Sequence, residues 1–246
     1  MCNLYKVPLP EPVAEAFRLR LLPGYAFDST KPVGPLGRGL FLQSIDGALS
    51  PVEGQWGIIP SNSSTRVPMT RPRDGKRPAR MSTNNARLEG LAKSWTFGGS
   101  WRCGRRCLIP AEWYAEPNWE TGRNIWWHLR RADSLPWALA GLWSEWTDPQ
   151  TGELVPNYTM ITRNCDDHPL LKRLHKPDPK LPAEQQDKRS LVHVEPDLWD
   201  QWLHGTEEQA REVLARLPAP DVFDPSDRDL TDQLLAQRGG DQPVLL

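Results

Sequence analysis

The stretch Trp137-Ala-Leu-Ala-Gly-Leu-Trp143 decides the fold class. It is apolar throughout, too short for an independent helix and followed by the breaker pair Asp148-Pro149, which reads as a strand. The same reading fits Gly39-Leu-Phe-Leu42, Trp56-Gly-Ile-Ile59, Cys107-Leu-Ile109, Trp126-Trp-His-Leu129 and Tyr158-Thr-Met-Ile-Thr162, each bounded by Pro, Gly, Asn or Asp. These runs predict a mainly antiparallel β core. Helical periodicity is confined to Pro12–Arg20, Leu88–Ser94, Pro169–Leu174, Glu195–Leu203 and Glu207–Leu217, the last with Thr206 placed as its N-cap. The fold class is therefore α+β.

The 246 residues are long enough to bury a sizeable core, and one domain is the expected organisation. There is no internal repeat, and the 25 prolines are scattered through loops. No apolar run approaches the roughly 20 residues that span a bilayer, and Met1–Pro10 lacks the apolar segment of a secretory signal. A cytoplasmic protein with no membrane partner and no obligate protein partner is expected. Cys2, Cys103, Cys107 and Cys165 are too few for a disulfide framework and read as chemistry or packing. Cys103-x-x-x-Cys107 has no second Cys/His pair at a zinc-like distance, so neither a metal nor another cofactor is expected. Most of the 12 tryptophans are expected in the core.

A net charge of -1 excludes a wholly basic nucleic-acid binder, so any such surface must be local. One candidate is the Pro- and Ser-rich segment in which Arg66, Arg71, Arg73, Lys76, Arg77, Arg80 and Arg87 are opposed only by Asp74. The segment reads equally as a solvated loop. From Glu195 to Leu246 acidic residues outnumber basic ones by 12 to 4, and an acidic, mobile tail is expected over 218–246.

Position 2 carries the distinctive chemistry. Cys is small enough to permit removal of Met1, which leaves an amine and a thiol on one residue. An α-amine has an ordinary pKa of about 7.7–8.0, so part of it is neutral near pH 7 and can attack an aldehyde. The thiol can then add to the imine and close a five-membered thiazolidine, a step accelerated by fixed proximity. By position alone, Cys2 reads as a tolerated small residue at a frayed terminus.

Ordered motifs weigh against that bland reading. Met1-Cys2, Trp56-Gly-Ile-Ile-Pro60, Asn85-Ala-Arg-Leu-Glu89, Arg105-Arg-Cys-Leu-Ile-Pro-Ala111 with Glu116, Ala140-Gly-Leu-Trp143, Met160-Ile-Thr-Arg-Asn164, His175 and Trp199-Asp-Gln-Trp-Leu203 follow one another in the order and spacing of a known family. The chain resembles the SOS response-associated peptidase (SRAP) family, whose members process abasic sites in DNA by covalent attachment through an N-terminal cysteine. The resemblance implies a SRAP domain over 1–217, with a barrel-like β core flanked by helices, and a partner in single-stranded DNA containing abasic sites. It makes Cys2 the nucleophile, Asn85 the polar residue that holds the adduct, and Glu116 the carboxylate that orients the amine and relays protons. Glu112 competes with Glu116 for that role. His175 is implied as the proton donor that opens the sugar ring to its aldehyde. Arg87 and Arg189 are expected to contact phosphates, with Arg77 and Arg80 from the basic loop.

This chain departs from the family in several places. Asn3-Leu4 stands where Gly-Arg is common, and Pro117 replaces a Trp, so base stacking must come from elsewhere, with Trp113 and Trp119 as candidates. An insertion, Pro177–Lys188, separates His175 from Arg189 and puts the role of Arg189 in question. Two other readings stay open: a thiol peptidase using Cys2, His175 and Glu116, and a non-enzymatic nucleic-acid-binding module.

Overall fold

A computed structural model describes residues 2–19, 21, 26–70 and 77–240, without the side chains of 238–240. Arg71, Arg73 and Lys76 of the basic segment, and Arg20 of the first helical run, lie outside the described residues.

The strands in chain order are β1 (Tyr5–Lys6), β2 (Arg38–Ile45), β3 (Ala48–Trp56), β4 (Asn85–Arg87), β5 (Arg106–Ala111), β6 (Trp113–Asn118), β7 (Ile125–Leu129), β8 (Trp137–Thr147), β9 (Leu154–Asn164) and β10 (Arg189–Leu191). The helices are α1 (Pro10–Ala16), α2 (Gly98–Arg102), α3 (Trp199–His204), α4 (Glu207–Leu214) and α5 (Ser226–Gly240). Pairing runs β9-β3-β2-β5-β8 and returns from β8 to β9, closing a five-stranded barrel. Its pairs are antiparallel except β3–β9, so the core is mixed but mainly antiparallel as expected. Closure removes the exposed edges that an open sheet would present.

The 11-residue β9 makes the barrel a platform for the site. Its first part pairs with β8 and β3, and its last residues pair with β4 on one side and β10 on the other. A second sheet, β1-β6-β7, lies beside the barrel and is tied to it by the Tyr5 and Tyr158 hydroxyls at 2.5 Å. Gly39 makes room for that bond, because a Cβ there would stand 2.2 Å from the Tyr5 hydroxyl and 2.4 Å from that of Tyr158. One core cluster runs from Cys2 and Tyr5 to Trp202 and Phe223, and Trp56, Trp101, Trp127, Trp137 and Trp202 are fully buried within it. Each large buried side chain stabilises the fold by roughly 1.5–3 kcal/mol.

Several expectations need correction. The Trp56–Ile59 run is not a strand: β3 ends at Trp56, because Gly57 takes φ +145° and turns the chain. Leu88–Ser94 and Pro169–Leu174 form only the 3-10 turns Leu88–Gly90 and Leu171–Arg173. Glu207–Leu217 forms α4, shortened at its C-terminal end, with the Thr206 hydroxyl accepting from Gln209 N and Gln209 returning the bond to Thr206 N.

The segment after Pro218 is not a tail set apart from the body. Phe223 packs in the core against the rings of Trp137 and His193. Helix α5 then docks on β7, where Thr231 Oγ1 accepts from Trp127 Nε1 at 2.9 Å and Asp227 accepts from the His128 backbone N–H. Its acidic residues answer local donors, and Asp232 pairs with Arg173, two residues before His175. Residues 241–246 lie outside the described part.

Candidate functional site

Strand pairing brings the amino terminus to its place. β1 runs antiparallel to β6 with Tyr5 opposite Tyr114, and Ala115 N donates to Leu4 O at 2.9 Å. Continuing that register carries Cys2 alongside Glu116 and Pro117. Asn85, on β4 opposite Met160 of β9, donates from Nδ2 to the Cys2 carbonyl at 2.6 Å. The adjacent Asn84 adds a longer donation to the same oxygen, 3.4 Å, and bonds Asn3 Oδ1 at 3.2 Å. Asn85 Oδ1 is buried and meets no donor among the described residues.

Glu116 alternates inward on β6, is 1% exposed, and lies 3.6 Å through Oε2 from His175 Nδ1. Burial raises its pKa to about 7. Glu112, the competing carboxylate, is exposed at the bend between β5 and β6. His175 has a left-handed backbone, φ 62°, and its N–H donates to Pro117 O at 2.6 Å. Its Nε2 bonds the Arg189 carbonyl at 2.7 Å, which requires that nitrogen to carry the proton. A neutral ring then turns its Nδ1 lone pair toward Glu116. Burial, reinforced by the amino-terminal charge and more weakly by the Lys188 ammonium, lowers the His175 pKa to about 4. Near neutral pH the carboxyl therefore still carries a proton in part, while the imidazole is uncharged.

Cys2 is fully buried, and its Sγ–H points at Leu4 O, 3.3 Å away. Burial, with the Glu116 charge second, holds the thiol well above its ordinary pKa. Cys2, Asn85, Glu116 and His175, far apart in sequence, are thus brought into one cluster.

The expected phosphate contacts divide. Arg189 is only 4% exposed: its guanidinium grips Glu89 through two bonds, 2.9 and 2.8 Å, and also bonds Asp187 and Thr162 O. The terminal nitrogens are thus engaged and the remaining Nε is buried, so the side chain presents no accessible donor for a phosphate and its observed role is structural. Arg189→Ala is expected to cost on the order of 2 kcal/mol of stability in urea unfolding while leaving the salt dependence of DNA binding unchanged. Arg87 is half exposed and paired with Asp187 at 3.0 Å. Arg77 and Arg80 are exposed, on a chain that folds back so that Arg80 bridges Met69.

Arg77 also lines a cavity of about 850 Å³ walled by Pro60, Val67, Met69, Met81 and the exposed Trp95. Trp113 packs edge-on to His128, and Trp119 sits under the Lys176 ammonium at 5.1 Å. Cys107 faces the core from β5 while Cys103 is exposed, and among the described residues no group of three His, Cys, Asp or Glu could hold a metal. Nor is any described helix long and apolar enough to cross a membrane.

The SOS response associated peptidase (SRAP) family model matches residues 38–225, most of the chain. The chain belongs to the SRAP family. Membership associates it with the SOS response to DNA damage. Among solved structures, a protein from Bordetella bronchiseptica is 27% identical, with a TM-score of 0.72 over 91% of this chain and 97% of its own. A protein from Bacteroides thetaiotaomicron, 16% identical, gives 0.68 over 91% and 90%, and a phage-related protein from Bordetella bronchiseptica, 20% identical, gives 0.58 over 91% and 92%. The last two speak for the SRAP fold alone. No curated protein matches the chain. Sequence reasoning missed Asn84 and Lys188; the Asn84-Asn85 doublet was the visible signal for the first, and nothing in the sequence marked the second.

Proposed function

We propose that this SRAP protein captures abasic sites in single-stranded DNA as a thiazolidine on Cys2, after loss of Met1. The observation that carries the reading is the Cys2 main chain held by Asn85 beside a buried carboxyl whose pKa is about 7. The neutral α-amine attacks C1′ of the ring-opened sugar, and the aldehyde oxygen takes up a proton to give a carbinolamine. Glu116 donates the proton with which that hydroxyl leaves as water, and the nitrogen returns a proton to the carboxylate as the imine forms. The Cys2 S–H then adds across the C=N bond: sulfur bonds to carbon, the proton goes to nitrogen, and one water has been lost in all. Asn85 Oδ1, buried and without a donor among the described residues, is the proposed acceptor for the amine N–H before the imine forms. Glu116 also suits the earlier step, protonation of the sugar ring oxygen, better than a histidine whose pKa is about 4.

The thiol's raised pKa separates this reading from a thiol peptidase. A peptidase nucleophile is a thiolate held by an imidazolium, whereas here the thiol stays protonated and the imidazole neutral. Aldehyde capture starts at the amine and needs no thiolate. Arg87, Arg77 and Arg80 are the proposed phosphate contacts. Met81 lies three residues from Asn84, within about 11 Å along an extended chain, so a flanking base could reach the cavity beside Trp95.

The test mixes purified protein with a uracil-containing single strand pretreated with a uracil glycosylase. A heat-stable shifted band is expected with the treated strand and none with the untreated one; equal bands, or none, would count against the proposal.

A further inference from the structure

Lys188 closes the insertion Pro177–Lys188, and it is buried although charged, at 6% exposure. Burying an ammonium costs several kcal/mol unless its donors are used. Here Nζ donates to the His175 carbonyl at 2.5 Å, while the next residue, Arg189, offers its carbonyl to His175 Nε2 at 2.7 Å. The Lys188-Arg189 pair therefore grips one histidine at its main chain and its ring. The grip falls where it is needed, because a non-glycine residue at φ 62° is held there only by its surroundings. Lys188 is itself fixed through its backbone N–H, which donates to Asp166 Oδ1 at 2.8 Å.

We propose that Lys188 is a positioning residue for His175: its ammonium locks the left-handed backbone and, with the Arg189 carbonyl on Nε2, holds the ring with Nδ1 turned to Glu116. The assignment rests on the proposed function only for its consequence, a proton acceptor beside Glu116 while the adduct forms. Charged and titratable groups around the pair are Glu116 on β6, Glu120 just after it, Cys165 and Asp166 following β9, Arg189 on β10 and the amino terminus. The Arg189 guanidinium is turned away to Glu89 and Asp187, which leaves Lys188 as the cation at the His175 carbonyl.

The experiment titrates His175 by NMR in ¹⁵N-histidine-labelled full-length protein, wild type and Lys188→Met, and measures adduct rate against pH at saturating abasic DNA. In Lys188→Met the His175 pKa should rise, and the adduct rate should fall by about tenfold with affinity for intact single strands unchanged. Lys188→Gln, which can still donate to the carbonyl but carries no charge, should raise the pKa while retaining more of the rate. It also replaces the Met variant if that chain does not fold. An unmoved His175 pKa in a folded variant would overturn the proposal. The titration needs no DNA, so it tests Lys188 even if the wild type forms no adduct, an outcome that would sink the function alone.

Discussion

Cys2→Ala is expected to abolish the heat-stable adduct with abasic single strands, a loss of more than about a thousandfold in rate. Alanine is also small enough for Met1 to be removed, so the variant keeps an α-amine in the same clamp of Asn84 and Asn85. It should still form a reversible imine, which a hydride reductant traps as a secondary amine; without reduction, heat and water return the aldehyde. The two treatments separate the roles of amine and thiol on one residue. A heat-stable band from Cys2→Ala without reduction would show that another residue carries the bond. Since Cys2 belongs to the core cluster, circular dichroism should accompany the assay.

Glu116→Gln should give two large effects of opposite sign. The folded chain holds the Glu116 proton to about pH 7, against an ordinary value of 4.5. Between those values the folded state binds a proton that the unfolded state has released, so stability falls as pH rises through the window. A difference of about 2.5 units corresponds to on the order of 3 kcal/mol, fully present above pH 7 and absent below 4.5. Glutamine bears no such cost. Urea unfolding should therefore find Glu116→Gln more stable than wild type by up to that amount at pH 8 and about equal at pH 4. Adduct formation should meanwhile fall by about a hundredfold. The wild-type rate should rise with pH as the amine loses its proton and fall as Glu116 does; the variant should keep the rise and lose the fall. A variant less stable at pH 8, or as fast as wild type, would remove Glu116 from the proton path.

Four of the five barrel strands were legible because β2, β5, β8 and β9 each contain an apolar run that only burial explains, as does β7 of the second sheet; β3 was not, because Ser50, Pro51, Glu53 and Gln55 break any such run. β1, β4 and β10 were not, since two or three residues carry no periodicity; their pairing is imposed by Tyr5 against Tyr114, Asn85 against Met160 and Ser190 against Arg163. β6 carries no apolar run to mark it, since Pro117 and Asn118 interrupt it, although its backbone places Glu116. α5 escaped notice because its apolar residues form no continuous stripe and its anchors are polar, Asp227, Thr231 and Asp232. At the site, Cys2, Asn85, Glu116 and His175 were readable through the family's motif order, and their assembly into one cluster follows the fold. Arg189 misled because a guanidinium suits a phosphate and a pair of carboxylates equally well; the partners Glu89 and Asp187 become visible only in three dimensions.

The central claim, that amine and thiol of Cys2 both bond the abasic sugar, is tested most directly by tandem mass spectrometry of the isolated adduct after nuclease and protease digestion. The peptide beginning at Cys2 should carry the sugar with the loss of one water, lack Met1, and resist thiol alkylation. A Cys2 thiol that still alkylates, or a sugar mass on any other residue, would contradict it.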